Sequence, residues 1–335
     1  MKVLVLFDLA RPPLPDENFS LKHLREDEEK PTEADILSSL RRLGHTVDTL
    51  AIFDDVNAVI DKLREFQPDV VFNQCMTMHD DRRHEPNIPA LLELLKVSYT
   101  GARPESIMLC KDKALAKKLL HYHRVRVARF VVSLKRRPLQ KLARFTFPAF
   151  VKPVNTEASD GISQASFARN EEEALERARF IHENFESDAL IEEYIVGREL
   201  YVGVLGQKRL TVLPPRELFF GQVPDDVPKF ATFKAKWDDA YRKKWGIRNG
   251  PAAALPEGVA EQINKVARTV CLALKLKGFA RLDMRLTETG ELVVIEANPN
   301  PSLAMEDDYA KSAKAIGIEY DELIQKILDS AVKTG

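Results

Sequence analysis

The 335-residue sequence predicts an α/β protein, with a parallel sheet in its first third and a smaller α+β lobe beyond it. Three observations predict this. Strand-like and helix-like runs alternate through the first hundred residues, the rhythm of βαβ units. After Gly101 that rhythm gives way to strands separated by a few helices. Two turn-rich stretches, 10–31 and 75–86, interrupt the early pattern at strand ends, where open α/β sheets place their ligands.

The apolar run 3–7 is a first strand, because it is shorter than a signal-sequence core and no small-residue cleavage site follows. Ile36, Leu37, Leu40 and Leu43 recur at helical spacing and predict a helix over 32–43. A strand over 47–52, a helix over 57–66, a strand over 69–73, a helix over 88–95 and a short strand over 97–100 follow. Next come a helix over 111–123, strands over 129–133 and 149–152, and a helix over 171–185 with Ala174, Leu175, Ala178 and Ile181 on its apolar face. A strand over 189–193 leads into a turn at Gly197. The last third holds strands over 200–205 and 209–213, an irregular charged segment over 219–251, and a helix over 256–275. A hairpin with strands 280–286 and 291–296 and a closing helix over 320–332 complete the chain. The expected domains are 1–105, 106–193 and 194–335.

Composition excludes several function classes. Lys and Arg number 50 against 51 Asp and Glu, a net charge of −1, so nothing draws the chain to nucleic acid or an anionic membrane surface. With 44% hydrophobic and 30% charged residues it is expected to fold as a soluble protein. No apolar stretch approaches the roughly 18 to 20 residues that span a bilayer. Cys75, Cys110 and Cys271 are odd in number and far apart, the pattern of reduced thiols in a cytoplasmic protein.

Chemistry concentrates in three places. In the hairpin, Arg281 and Asp283 share one strand face, and Glu296 and Asn298 share another. Asp, Glu and Asn are hard oxygen ligands suited to Mg²⁺, which completes its shell with substrate phosphates. A surface hairpin with scattered charges is the competing reading, and the run VVIEANPN at 293–300 argues against it by carrying a buried strand straight into these oxygens. Second, Lys152 ends an apolar strand and a small-residue loop follows to Gly161, an arrangement for an anion such as phosphate. Third, a strand carrying Glu192 and Glu193 turns at Gly197 into another carrying Glu199. The cluster His79, Asp80, Asp81, His84 and Glu85 lacks metal-ligand spacing and is expected to be a surface or substrate-side loop.

In order, Lys113 in Lys-Asp-Lys, FPAFVKP with its small-residue loop, EEYIVGRE, GFARLDMRL and VVIEANPNPSL resemble the ATP-grasp superfamily, and within it the D-alanyl-D-alanine ligase branch. The resemblance implies an ATP-grasp fold: a parallel-sheet pre-ATP-grasp domain, a small lid and a C-terminal catalytic domain with ATP between the last two. It implies ATP and Mg²⁺ (or Mn²⁺) as cofactors and a carboxylate donor and an amine acceptor as substrates. The acceptor would be an amino acid, peptide or polyamine, and homodimerisation is carried over likewise. Lys113, Lys152 and the loop residues Ser159 and Gly161 would hold phosphates, with Lys236 reaching the γ-phosphate. Glu192 and the chain at Glu193 and Ile195 would meet adenine, and Glu199 the ribose. Asp283, Glu296 and Asn298 would ligate the metal, while Arg281 and the Ser302 backbone would stabilise a tetrahedral oxyanion.

Departures from that pattern bear on substrate. The glutamate-bearing loop after the first strand is replaced by 8–15, rich in proline; Ala158 and Trp237 replace a family serine and tyrosine. Asp307 stands where the family uses a serine to hold the second substrate's carboxylate. The expected function is ATP-dependent amide formation through an acylphosphate with an altered pocket. A genuine D-alanyl-D-alanine ligase and a non-catalytic ATP-binding regulator are the alternatives. Asp307 as no more than part of a helix cap is the competing local reading.

Overall fold

The first strand, β1 (Lys2–Asp8), is buried along nearly its whole length. This computed structural model describes residues 1–14, 17, 19, 21–26, 30–155, 161–207, 209–224 and 226–331. Val3, Val5 and Phe7 pack against Ile36, Leu37 and Leu40, while Leu4 and Leu6 pack against Val59, Leu63 and Leu92. Apolar side chains on both faces are what a parallel strand covered by helices on both sides requires. The short helix α1 (Leu21–Glu26) and the longer α2 (Pro31–Arg42), with proline in its first turn, follow β1. Then come β2 (Thr46–Ile52), α3 (Val56–Phe66), β3 (Val70–Asn73) and α4 (Asn87–Leu94). The sheet is parallel, in the order β2-β1-β3. The strand expected over 97–100 reduces to one parallel bridge between Val71 and Tyr99.

Where one helix was expected over 111–123 there are two, α5 (Pro104–Lys111) and α6 (Lys113–Tyr122). Asp112 separates them, because its side chain accepts from Leu115 N at 2.8 Å and so starts a new helix. A four-stranded antiparallel sheet follows, made of β4 (Phe130–Ser133), β5 (Ala149–Pro153), β6 (Phe167–Ala168) and β7 (Ala189–Glu193) in the order β4-β7-β5-β6. Its helix α7 (Glu171–Asn184) begins at Asn170, whose side chain caps Glu173 N, and carries three glutamates in its first turn.

The largest sheet contains β8 (Arg198–Gly206), β9 (Thr211–Val212), β10 (Arg216–Phe220), β11 (Ile247–Pro251), β12 (Gly278–Leu286) and β13 (Leu292–Pro299). Its order is β11-β10-β8-β12-β13, with β9 against β8. The segment expected to be irregular over 219–251 in fact includes β11 and the short helices α8 (Phe233–Trp237) and α9 (Asp239–Trp245). Thr232 and Asp238 cap these helices and Gly246 ends the second in the left-handed region. Helix α10 (Val259–Ala273) covers one face of the sheet. Residues of α5 and α6 join that same core, while Ala114 of α6 packs with Val154 and Leu190 of the smaller sheet. Helix α6 is therefore wedged between the two sheets. Helices α11 (Asp308–Lys314) and α12 (Tyr320–Asp329) close the chain, and α12 joins the core of the parallel sheet.

Gly101 joins the parallel-sheet region to the loop after β13. Its φ is +99°, and a Cβ there would lie 2.6 Å from Asn300 Oδ1, which accepts from Ala102 N at 2.7 Å. Gly101→Ala is expected to lower stability by about 1–3 kcal/mol through strain and the lost bond, read by urea unfolding. An unchanged midpoint would contradict this. Among the described residues, no helix is long and apolar enough to cross a membrane.

Candidate active site

The site begins with a parity change in β13. Asp283 of β12 pairs with Glu296, but Met284 pairs with Val294, so Ile295 is an extra residue at a bulge. Strict alternation from the buried Val294 would send Glu296 into the apolar core; the extra residue turns it back to the open face. Asp283, Glu296 and Ile295 consequently line one cleft, and Asn298 lies opposite Arg281 on the same pair of strands. Arg281 donates to both oxygens of Asp283, at 2.7 and 3.0 Å, and lies over the Tyr201 ring. Among the described residues, the buried Asn298 side-chain nitrogen has no hydrogen-bond partner.

Burial raises the Asp283 carboxyl above its usual range despite Arg281. At Glu296 burial pushes the same way, but Lys113, Lys152, Lys236 and Arg281 together override it and hold the carboxyl down to about 2. Glu296 is thus a fixed negative charge among cations at neutral pH.

The smaller sheet supplies the opposite wall. Lys152 of β5 is 2% exposed, with Nζ 2.8 Å from Glu192 of β7. The other Glu192 oxygen lies 2.9 Å from Lys117 Nζ, a residue of α6 that sequence reasoning missed. Lys117 also donates to the Ile295 carbonyl at the bulge, at 3.1 Å. Burial lowers the Lys117 pKa, whereas at Lys152 the burial penalty is outweighed by Glu192 and Glu296 and the pKa rises. The Glu192 carboxylate, expected to meet adenine, belongs to the cleft lining and is held between two lysines. Lys113 is buried with Nζ 3.4 Å from the Val154 carbonyl.

The cleft also has apolar lining, contributed by Phe150, Ile162, Tyr194, Ile195 and Phe230. Phe150 and Phe230 meet edge to face at 4.8 Å. Glu199 also lines the cleft, held by Arg285 at 2.6 Å and by the Tyr201 hydroxyl at 2.9 Å. Glu193 lines it too, but its carboxylate turns to Arg126 at 3.2 Å. Lys236 of α8 reaches the same space. The cleft encloses about 620 Å³ including its open part, within the size range of small-molecule sites.

Gly161 has φ +73° and its carbonyl accepts from Arg177; Ser159 lies outside the described residues. Ser302 is exposed and lies beyond the cleft lining, its hydroxyl 3.3 Å from that of Thr32 on α2. At the end of β1, Asp8 accepts from Met76 N and from the Thr77 hydroxyl, both at 2.7 Å, fastening the 75–86 loop. Among the described residues, no group of three or more His, Cys, Asp or Glu is arranged to hold a metal ion. Asp307 sits at the N-cap of α11 but its side chain makes no cap bond, whereas Glu306 pairs with Lys311 and Asp308 with Arg216.

An antiparallel sheet bearing carboxylates, faced across an apolar slot by a smaller sheet bearing a buried lysine, defines an ATP-grasp protein. Residues 113–329 match the family model described as D-ala D-ala ligase C-terminus. The chain is 31% identical over 271 residues to D-alanine–D-alanine ligase A of Mesorhizobium japonicum, covering 79% of this chain and 72% of that one. It is 30% identical over 307 residues to an uncharacterized protein of Sinorhizobium fredii, covering 88% and 86%. Among solved structures, D-alanine–D-alanine ligase from Bacillus anthracis complexed with ATP superposes with a TM-score of 0.74 at 22% identity, covering 98% and 97%. The VanG D-Ala:D-Ser ligase of Enterococcus faecalis gives 0.68 at 20%, covering 98% of each chain. The chain belongs to the D-alanine–D-alanine ligase family of ATP-grasp proteins.

Proposed function

We propose that this protein is an ATP- and Mg²⁺-dependent ligase that joins a carboxylate to an amine through an acylphosphate, releases ADP, and takes an acceptor other than free D-alanine. The observation that carries the ligase reading is the convergence of Lys152 and Lys236 with Asp283 and Glu296 on one cleft, with the charge of Lys113 also acting on Glu296. Oxygen donors alone, the Asp283 and Glu296 carboxylates and the Asn298 amide oxygen, fit Mg²⁺ better than a softer metal. Asp283, Glu296 and Asn298 would hold that ion, which when bound neutralises and orients phosphate oxygens.

The remaining work falls to this chain's own groups. Lys113, Lys152 and Lys236 bind phosphate oxygens as fixed charges. The slot between Phe150, Tyr194, Ile195 and Phe230 takes a flat heteroaromatic base and excludes water. Glu199, fixed by Arg285 and Tyr201, keeps a further lone pair on each oxygen with which to accept from ribose hydroxyls. Arg281, locked by its double bond to Asp283, stabilises developing oxyanion charge together with the Ser302 backbone N–H.

Two features support an altered substrate pocket. Asp8, where the family carries its ammonium-anchoring loop, spends both carboxylate oxygens on the 75–86 loop. Asp307 places an anion where a carboxylate-bearing acceptor would end, and it is not consumed in capping α11. Like charges repel, so an acceptor that is cationic or lacks a carboxylate at that end fits better. The 31% identity to a D-alanine–D-alanine ligase favours the second reading, a true ligase of that kind.

ADP release with ATP and Mg²⁺, measured across D- and L-amino acids, polyamines and short peptides with mass spectrometry of the product, separates them. Stimulation by a basic or carboxylate-free amine is expected. Stimulation confined to D-alanine would overturn the altered-pocket reading, and nucleotide binding with no turnover on any pair would favour a regulator.

A further inference from the structure

Lys117 lies behind the cleft, outside its lining, yet it touches both walls. One contact runs to Glu192 on the smaller sheet and the other to the Ile295 carbonyl, one residue before Glu296 on the larger sheet. Both Lys117 and Glu192 are about 3% exposed. A second lysine is not needed to neutralise Glu192, because Lys152 already pairs with it at 2.8 Å. A simple Lys152–Glu192 pair would be neutral, and in a medium of low dielectric the carboxylate would hold the ammonium against any competing anion. With Lys117 present, Glu192 is shared, and the buried trio keeps one net positive charge.

We propose that Lys117 is a positioning residue that shares Glu192 with Lys152, leaving Lys152 free to bind phosphate while tying it to the bulge beside Glu296. This rests on the nucleotide reading of the cleft given above. The trio's role is electrostatic as well as structural, and charge arithmetic separates the two. Lys117→Met takes the trio from a net +1 to zero. Lys117→Met combined with Glu192→Gln restores +1, now carried by Lys152 alone. In that variant Lys152 still shares the cleft lining with Glu296 and Asp283.

The test is the dissociation constant of ATP with Mg²⁺, measured by calorimetry on the full chain, with thermal melting as the folding control. Lys117→Met is expected to weaken ATP by about tenfold, and the double variant to bind ATP more tightly than the single. A purely structural clasp predicts the reverse order, with the double variant as weak as the single or weaker. That outcome, or an unchanged single variant, overturns the proposal. Should Lys117→Met alone fail to fold, Lys117→Gln, which removes the same charge, takes its place in the comparison. A parent protein that binds no ATP would instead defeat the nucleotide reading itself.

Discussion

Glu296→Gln is expected to leave the fold intact and to lower ADP formation by at least about 100-fold, because substitutions one shell out from a metal already cost about 10- to 100-fold. Glutamine keeps the shape of the side chain while removing its charge and turning one acceptor oxygen into an NH2 donor. That charge is the one most firmly fixed in the cleft: the carboxyl is held down to about 2 by Lys113, Lys152, Lys236 and Arg281 against its own burial. Two consequences diverge. Metal affinity falls, since one of the two carboxylates facing each other across β12 and β13 is gone. The four cations lose a competitor for phosphate, so ATP binding without Mg²⁺ should hold or tighten. Measuring turnover against Mg²⁺ concentration, and nucleotide binding in chelator, reads both. An unchanged rate would refute the assignment, and equal loss of metal-free binding would mean that Glu296 merely supports the fold.

The parallel-sheet region was readable from the sequence because its periodicities are clean. Helix α2 shows Ile36, Leu37 and Leu40 on one face, and β1 is an uninterrupted apolar run because both its faces are covered. The hairpin was readable for the same reason, with Thr287 to Gly290 marking its turn. What failed was short or locally capped. Asp112 splits a continuous helical pattern by accepting from Leu115 N, and α8 and α9 are too brief to show an amphipathic period. Helix α11 was anticipated only through the reading of Asp307 as part of a helix cap.

Within the site, Lys152, Asp283 and Glu296 could be read because a charge on an apolar strand is conspicuous. Lys117 could not, since it stands beside Lys118 and resembles a solvated helix face until α6 is seen wedged between two sheets. The one available signal was its spacing of four from Lys113, which puts both lysines on the face that carries phosphate-site residues. The fate of Glu192 was hidden for a related reason. Its partners come from α6 and β5, and no local pattern encodes a meeting of three separate elements. The bulge at Ile295 is equally silent in sequence, although it decides which way Glu296 points.

Arg281→Lys is the second large effect, with turnover expected to fall by about 10²- to 10³-fold, the usual cost of losing a preorganised oxyanion donor. Lysine keeps the positive charge, so the substitution isolates geometry. The arginine lies over the Tyr201 ring at 5.0 Å and donates Nε and Nη2 to separate oxygens of Asp283, a fork that an ammonium cannot reproduce. Held in this way, the guanidinium can present its remaining N–H groups in a fixed direction, at no cost in reorganisation when charge develops. A lysine there would still balance Asp283 but would rotate, and its proton donors would have to be reoriented during the reaction. The loss should therefore fall on kcat, with the KM for ATP little changed, because Arg281 is not among the groups lining the nucleotide cleft. A rise in the KM for ATP at constant kcat would assign Arg281 to nucleotide binding through Asp283 and remove it from the oxyanion role.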